Sequence, residues 1–314
     1  IGISNSRTMS FDEDGIDLAH WKKLLKRGEK STLNSFFSRI NTLNLRNSVF
    51  IDNTANQQVS EMYEQYLSEN IGVVTCNKIA CASSFENYST LKEVSRKSNV
   101  PFLFETNVGA GLPIIDTLKN LIASGDRVHK IQAVLSGSLN FVFNNFNAAT
   151  TFHDVVQQAA NEGYTEPDPK IDLSGVDVAR KILILARESG FQMELNDITN
   201  KSFLPKEALD TTNNDDFYAS LTNNEAHFQK IFSEANDQNY RLKYVAEFEE
   251  GKANVGLQQI PSTHSFYNLE GSDNIVLFYT DRYSEQPLII KGAGAGADVT
   301  ASGIFADVIR IGNI

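Results

Sequence analysis

The residues best suited to chemistry cluster between positions 163 and 181. Glu166, Asp168, Asp172 and Asp177 supply carboxylates, and Arg180 and Lys181 supply cations. A lysine can deliver a proton to a carbonyl oxygen and stabilise the alkoxide that forms when the carbon is reduced. Carboxylates nearby can hold an ammonium or a hydroxyl of a small substrate. Pro167 and Pro169 remove backbone donors and push Glu166 and Asp168 towards extended conformations, so the first half of the stretch is expected to be irregular. Ser174 is placed to cap a following helix, with Asp177 as its capping-box partner. Asp177 and Lys181 then stand one turn apart, opposite the apolar Val178, Ile182 and Leu185. The same spacing also describes an exposed ion pair worth about 0.3–0.5 kcal/mol, so the elements around it must decide.

Composition narrows the classes. A chain of 314 residues suits two domains, and 41% hydrophobic with 21% charged residues describes a globular protein. The net charge of −11 argues against nucleic acid or an anionic membrane as the main partner. The only cysteines, Cys76 and Cys81, lack nearby histidines that could complete a zinc site, and such sparing use fits a reducing cytoplasm. No apolar run reaches the ~18–20 residues that span a bilayer. The five histidines are scattered and suggest no Ser-His-acid triad. The chain begins at Ile1 rather than Met, which leads us to expect a piece of something longer.

Two kinds of domain are expected. Over residues 1–107, short apolar runs at 1–4, 48–52, 73–75 and 102–105 alternate with amphipathic stretches at 17–26, 33–43, 57–68 and 88–98. This alternation predicts a Rossmann-like parallel sheet covered by helices, with ligands at the carboxyl ends of the strands. Those ends carry Ser4, Asn5, Ser6 and Arg7, then Thr54, then Asn77 and Lys78. No G-x-G-x-x-G turn opens the chain, so the first strand and its phosphate turn are expected upstream of Ile1. Residues 108–296 read as an α+β catalytic, substrate-binding and dimerisation domain: helices after Pro113, Ser136, Thr151 and Ser174, another near 225–236, then a mixed sheet from strands at 240–249, 253–260, 274–284 and 287–291. A final helix within 297–314 is expected to return to the first domain.

In order along the chain stand Val73–Lys78 with its Asn77-Lys78 pair, Glu105 and the glycine loop through Pro113, Ser136-Gly137-Ser138-Leu139-Asn140, the whole of 163–181, and Gly294 to Thr300. Together these stretches resemble the homoserine dehydrogenases over nearly the whole sequence. Residues 182–188 are similar to the form found in bifunctional aspartokinase–homoserine dehydrogenases, which implies an upstream kinase region in the same polypeptide and a homodimer or higher homo-oligomer.

The resemblance implies reduction of L-aspartate 4-semialdehyde to L-homoserine, within threonine and methionine biosynthesis. Lys181 falls on the family's proton donor, and Glu166 and Asp177 fall on its substrate carboxylates. Lys78 falls at a position near both substrate and cofactor. Asn5, Ser6, Arg7, Thr54, Lys78 and Gly296 are the expected cofactor contacts. Arg7 could meet a 2′-phosphate, favouring NADP over NAD, while an acidic residue suited to NAD is not seen there. Glu105 with the backbone of Val108, Ala110 and Leu112 is implied to hold Na⁺ or K⁺, as oxygen-only ligands suit. Asp168 and Asp172 read as turn and cap residues. Two departures stand out: the glycine-rich turn is absent, and Cys76 occupies a place where many members have proline. A catalytically silent dimerising fragment, or a related dehydrogenase for another small amino-acid aldehyde, are the alternative readings.

Overall fold

The computed structural model describes residues 1–313. They form two compact units, one of residues 1–80 with 89–103 and one of residues 81–88 with the chain from 104 onward. The chain therefore crosses between units three times.

The first unit opens with a small antiparallel sheet. β1 (Gly2–Ser4) and β2 (Thr8–Phe11) form a hairpin, and after α1 (Trp21–Arg27) the short β3 (Glu29–Lys30) joins β2. The apolar run at residues 1–4 is expected in the parallel sheet; its register with β2, Ile3 opposite Ser10, is antiparallel instead. The side chain of Asn5 explains the difference. Its Oδ1 accepts from the N–H of Arg7 at 2.8 Å and of Thr8 at 2.9 Å, turning the chain back at once. A parallel neighbour would need a crossover of a dozen residues or so.

The parallel sheet follows α2 (Leu33–Leu43), whose start is fixed by a capping box between Thr32 and Ser35. It comprises β4 (Val49–Asp52), β5 (Gly72–Thr75) and, beyond α5 (Phe85–Lys97), β6 (Phe102–Leu103), in the order β4-β5-β6. The connection from β4 to β5 is two short helices, α3 (Gln57–Ser60) and α4 (Tyr63–Ser68), rather than one continuous helix. Tyr63 and Tyr66, fully buried, face the sheet from α4, and Tyr66 stacks on Phe50 of β4 with ring centroids 4.1 Å apart.

The second unit has a 3₁₀ turn at Glu105–Asn107, so the strand expected over 102–105 stops at Leu103; α6 (Ile114–Ala123) and β7 (Val128–Val134) follow. α7 (Gly137–Asn145) is capped by the Ser136 side chain, and α8 (Phe152–Asn161) by Thr151. α9 (Pro169–Leu173) and α10 (Val176–Glu188) follow. Ser174 does not cap α10. It closes α9, a one-turn helix that begins on Pro169, where a missing N–H costs nothing, and is capped by Asp168. The α10 N-cap is Gly175 at φ +72°, where a Cβ would lie 1.9 Å from the Tyr244 hydroxyl, so only glycine fits. From there Val178, Ile182, Leu183 and Leu185 enter the core.

β8 (Thr199–Lys201) and the helices α11 (Lys206–Leu209), α12 (Asn214–Asn223) and α13 (Glu225–Asn236) lead to the hairpin of β9 (Arg241–Glu249) and β10 (Lys252–Ile260). Its turn uses Glu250 and Gly251, both at positive φ. β11 (Asp273–Thr280) and β12 (Leu288–Ala293) complete a six-stranded mixed sheet in the order β12-β11-β7-β9-β10-β8. Only β8 runs parallel to its neighbour. The terminal α14 (Ala297–Gly312) buries Asp307, whose Oδ2 accepts the Glu105 N–H at 3.0 Å. No helix among the described residues is long and apolar enough to cross a membrane.

Candidate functional site

Lys181 projects from the second turn of α10. Its side chain is 12% exposed, and Nζ lies 2.8 Å from Asp177 Oδ2 and 2.6 Å from the carbonyl oxygen of Leu135, at the end of β7. An exposed pair would leave both side chains in water. Here the ammonium is largely out of solvent, aimed between a carboxylate and a main-chain oxygen. Asp177 is also in the first turn of a 13-residue helix, where negative charge is favoured.

The loop before α10 is pinned by Asp172, whose place in the sequence suits a turn or cap residue. Asp172 Oδ2 accepts the Glu166 N–H at 2.8 Å, and its Oδ1 accepts from the Ser138 hydroxyl at 3.0 Å. Burial pushes its carboxyl above the usual range, against the opposing effect of these two donors. The Ser136 cap of α7, Ser138, Asp172 and Glu166 thus form one chain of contacts beside Leu135, the residue that receives Lys181. Glu166 itself is exposed. The fixation has a second origin: Lys170 Nζ reaches the carbonyl of Thr211, Asn214 donates to the carbonyl of Pro167, and Asn200 to that of Ser174. Nothing local in the sequence marks these long-range bonds.

Glu105 is buried, and both carboxylate oxygens accept amides of α6, Ile115 at 2.7 Å and Asp116 at 2.8 Å. Burial raises its affinity for a proton despite these bonds, and burial does the same to Asp307. In the adjoining loop Val108 and Ala110 are buried, and Leu112 is half-buried with its carbonyl accepting from the Ile114 N–H. No group of three His, Cys, Asp or Glu side chains arranged for a metal occurs among the described residues. Gly296 caps α14 at φ +112°, with open space where a Cβ would stand.

The remaining candidates belong to the first unit. Asn5, Ser6 and Arg7 form the exposed β1–β2 turn, on the small antiparallel sheet and not at a parallel-strand end. Thr54 is exposed just past β4, its N–H donating to Asp52 Oδ1 at 2.7 Å. Lys78 is half-buried just past β5, beside the fully enclosed Asn77. Cys76, between β5 and this pair, has its thiol pushed up by burial and by Asp52, so it is not poised as a nucleophile.

A parallel αβ unit joined to an α+β unit that carries a largely shielded lysine paired with a carboxylate is the architecture of a two-domain dehydrogenase. Comparison with known proteins fixes which. The family described as homoserine dehydrogenase matches residues 113–309, and its NAD-binding domain matches residues 11–105. The chain belongs to the homoserine dehydrogenase family. It is 42% identical over 315 aligned residues to the bifunctional aspartokinase/homoserine dehydrogenase 2, chloroplastic, of Zea mays, covering 99% of this chain and 34% of the relative. The chain thus spans about a third of the length of such curated relatives. A crystal structure of a Candida auris protein of unknown function superposes with TM-score 0.91 at 36% identity, covering 98% of this chain and 88% of that one. A hyperthermophilic archaeal homoserine dehydrogenase in complex with NADPH shares the fold, with TM-score 0.75 at 23% identity, covering 100% of this chain and 88% of that one.

Proposed function

We propose that this chain carries the reversible, NADP(H)-dependent reduction of L-aspartate 4-semialdehyde to L-homoserine. The observation that carries the reading is Lys181: a lysine 12% exposed, held by Asp177 and the Leu135 carbonyl rather than left in water. A nicotinamide cofactor, when bound, supplies the hydride. Gly296, with its open approach, and the first-unit residues Asn5, Ser6, Arg7, Thr54 and Lys78 are the groups that would hold it. Arg7 favours a 2′-phosphate and so NADP, although NAD remains chemically compatible.

The protein's own part is proton delivery and orientation. Lys181, ion-paired with Asp177, donates a proton from Nζ to the aldehyde oxygen as that oxygen gains negative charge. Asp177 holds the donor in one direction and, with Glu166, receives the substrate ammonium and hydroxyl. Asp172 keeps the Glu166 backbone in place for this. Lys78 offers a second cation to the substrate carboxylate or the cofactor. Glu105, with the carbonyls of Val108, Ala110 and Leu112, would hold Na⁺ or K⁺; burial raises the cost of an ionised Glu105, and a neighbouring cation would relieve it. That ion would brace the loop and take no part in the proton step.

The similarity to bifunctional relatives supports an aspartokinase region in the same polypeptide; we further propose a homodimer or higher homo-oligomer and, from the sparing use of cysteine, a cytoplasmic setting, whereas the maize relative's own name places that protein in the chloroplast. The test is direct. The full-length protein should bind NADPH by calorimetry and oxidise it with aspartate semialdehyde in preference to other small aldehydes. Binding without turnover of this aldehyde would refute the substrate, and absence of NADPH binding would refute the cofactor.

A further inference from the structure

At the carboxyl ends of β4 and β5 two turns are tied to each other by one buried carboxylate. Asp52 is 1% exposed. Its Oδ1 accepts the Thr54 N–H at 2.7 Å, closing a turn of Asx type after β4. Its Oδ2 accepts from Asn77 Nδ2 at 3.0 Å and from the Tyr63 hydroxyl at 2.5 Å. Asn77 forms the matching turn after β5: its Oδ1 accepts the Ile79 N–H at 3.1 Å, so the turn wraps around Lys78. The remaining amide hydrogen of Asn77 goes to the Asn56 carbonyl at 2.9 Å. The Asn77 N–H donates to Thr75 Oγ1, which in turn contacts the Tyr63 hydroxyl at 2.7 Å.

This is a costly arrangement to keep for folding alone. A buried carboxylate supported by a phenol, an amide and a peptide N–H, with no hydrogen-bonded cation, gains less than a well-packed apolar side chain would. What the arrangement does provide is geometry. Asn77 uses one end of its carboxamide to shape the turn of Lys78 and the other to lock that turn onto Asp52. Asp52 locks the turn of Thr54 with its second oxygen.

We propose that Asp52 is a positioning residue of the reaction: through Asn77 it fixes the direction in which Lys78 leaves the sheet, and through the Thr54 N–H it sets the neighbouring turn to match. The inference rests on the reading that Lys78 belongs to the active site. Asp52 touches neither substrate nor cofactor in this role. Replacing it by asparagine puts an N–H₂ where two donors now converge, or opposite the Thr54 N–H. Either way one of the two turns loses its tie.

The experiment is a double-mutant cycle in the full-length protein with Asp52→Asn, Lys78→Ala and both together. kcat, KM for aspartate semialdehyde, NADPH affinity and thermal midpoint are recorded for each. Asn77→Ser serves as the second route, because serine can still cap the Ile79 N–H but cannot reach Asp52. The expected result is a loss of tenfold or more in kcat/KM for Asp52→Asn and for Asn77→Ser, since about 1 Å of misplacement can cost on the order of a hundredfold. The double variant should be no worse than Lys78→Ala alone. A purely structural role would lower the midpoint, leave kcat per folded enzyme unchanged, and add to the Lys78 effect; that outcome overturns the proposal. If Lys78→Ala is itself silent, the active-site reading of Lys78 fails and the proposal falls with it. If Lys78→Ala is impaired but the losses add, only the coupling through Asp52 is refuted.

Discussion

Removing Lys181 is the most informative perturbation. In Lys181→Ala the donor is gone, the Leu135 carbonyl loses a bond of 2.6 Å, and Asp177 loses its partner at 2.8 Å. The two consequences separate. General-acid catalysis by a positioned side chain is worth about 10²–10⁴ in rate, so kcat should fall by that factor. The stability cost comes mainly from the Leu135 carbonyl, since Leu135 is fully buried while the Asp177 side chain is 39% exposed and can be solvated. A buried acceptor left unsatisfied costs about 1–3 kcal/mol, which for a protein of this size lowers the thermal midpoint by several degrees. The assay is single-turnover reduction of aspartate semialdehyde with excess NADPH and full-length protein, beside calorimetric substrate affinity and a melting curve. Lys181→Arg should retain most of the midpoint and little of the rate, because the guanidinium holds its proton at all working pH. A turnover within threefold of wild type in the folded Ala variant would refute the proton-donor role. A loss that resides only in substrate affinity would reassign Lys181 to binding.

Other expectations follow from the same geometry. Gly175→Ala sets a Cβ against the Tyr244 hydroxyl in a left-handed conformation and should cost at least about 2 kcal/mol in urea unfolding. Arg187, fully enclosed, donates to the carbonyls of Cys81, Ser83 and Met193; Arg187→Met should cost about 3 kcal/mol or more and expose residues 81–88 to limited proteolysis. Lys243 is buried with Nζ on Asn140, Asn144 and the Leu269 carbonyl, and burial pushes its pKa down to about 8. The native state therefore binds this proton less tightly than the unfolded chain does, so stability should rise as the pH climbs from about 8 towards the unfolded lysine value near 10.4. The rise should vanish in Lys243→Met, measured as denaturation midpoint against pH.

Much of this architecture was legible along the chain because local chemistry and tertiary role agree. The apolar runs of β4 and β5, the serine and threonine caps of α7 and α8, and the Glu250-Gly251 turn each announce their own element. Where local pattern and pairing diverge, expectation and structure part. Residues 1–4 look like any short strand; only the Asn5 turn decides that the partner is β2. Ser174 has the chemistry of a cap, but the Tyr244 hydroxyl, seventy residues away in sequence, demands glycine at the start of α10. β8 is a polar edge strand with every residue exposed, so it carries no alternation to detect. In the candidate site, the i,i+4 spacing of Asp177 and Lys181 announces an ion pair, and only the resemblance points to a proton donor there. Asp172 and Asp52 carry no such mark, because their importance lies in donors that the fold delivers from distant segments.

The interleaving of the two units bears on how the chain matures during synthesis. Residues 81–88 are flanked on both sides by the first unit, yet they are held by Arg187 and by Glu188, which accepts from the Tyr88 hydroxyl. The strands β4, β5 and β6 can pair once residue 103 has left the ribosome. The excursion at 81–88 must then wait for about eighty more residues, roughly four to sixteen seconds at ordinary elongation rates. During that interval the apolar rings of Phe85 and Tyr88 have no Arg187 to stack against. Residues 81–88 are thus the part of this region whose partners are made last, although Phe85 to Tyr88 open a helix that continues into the first unit.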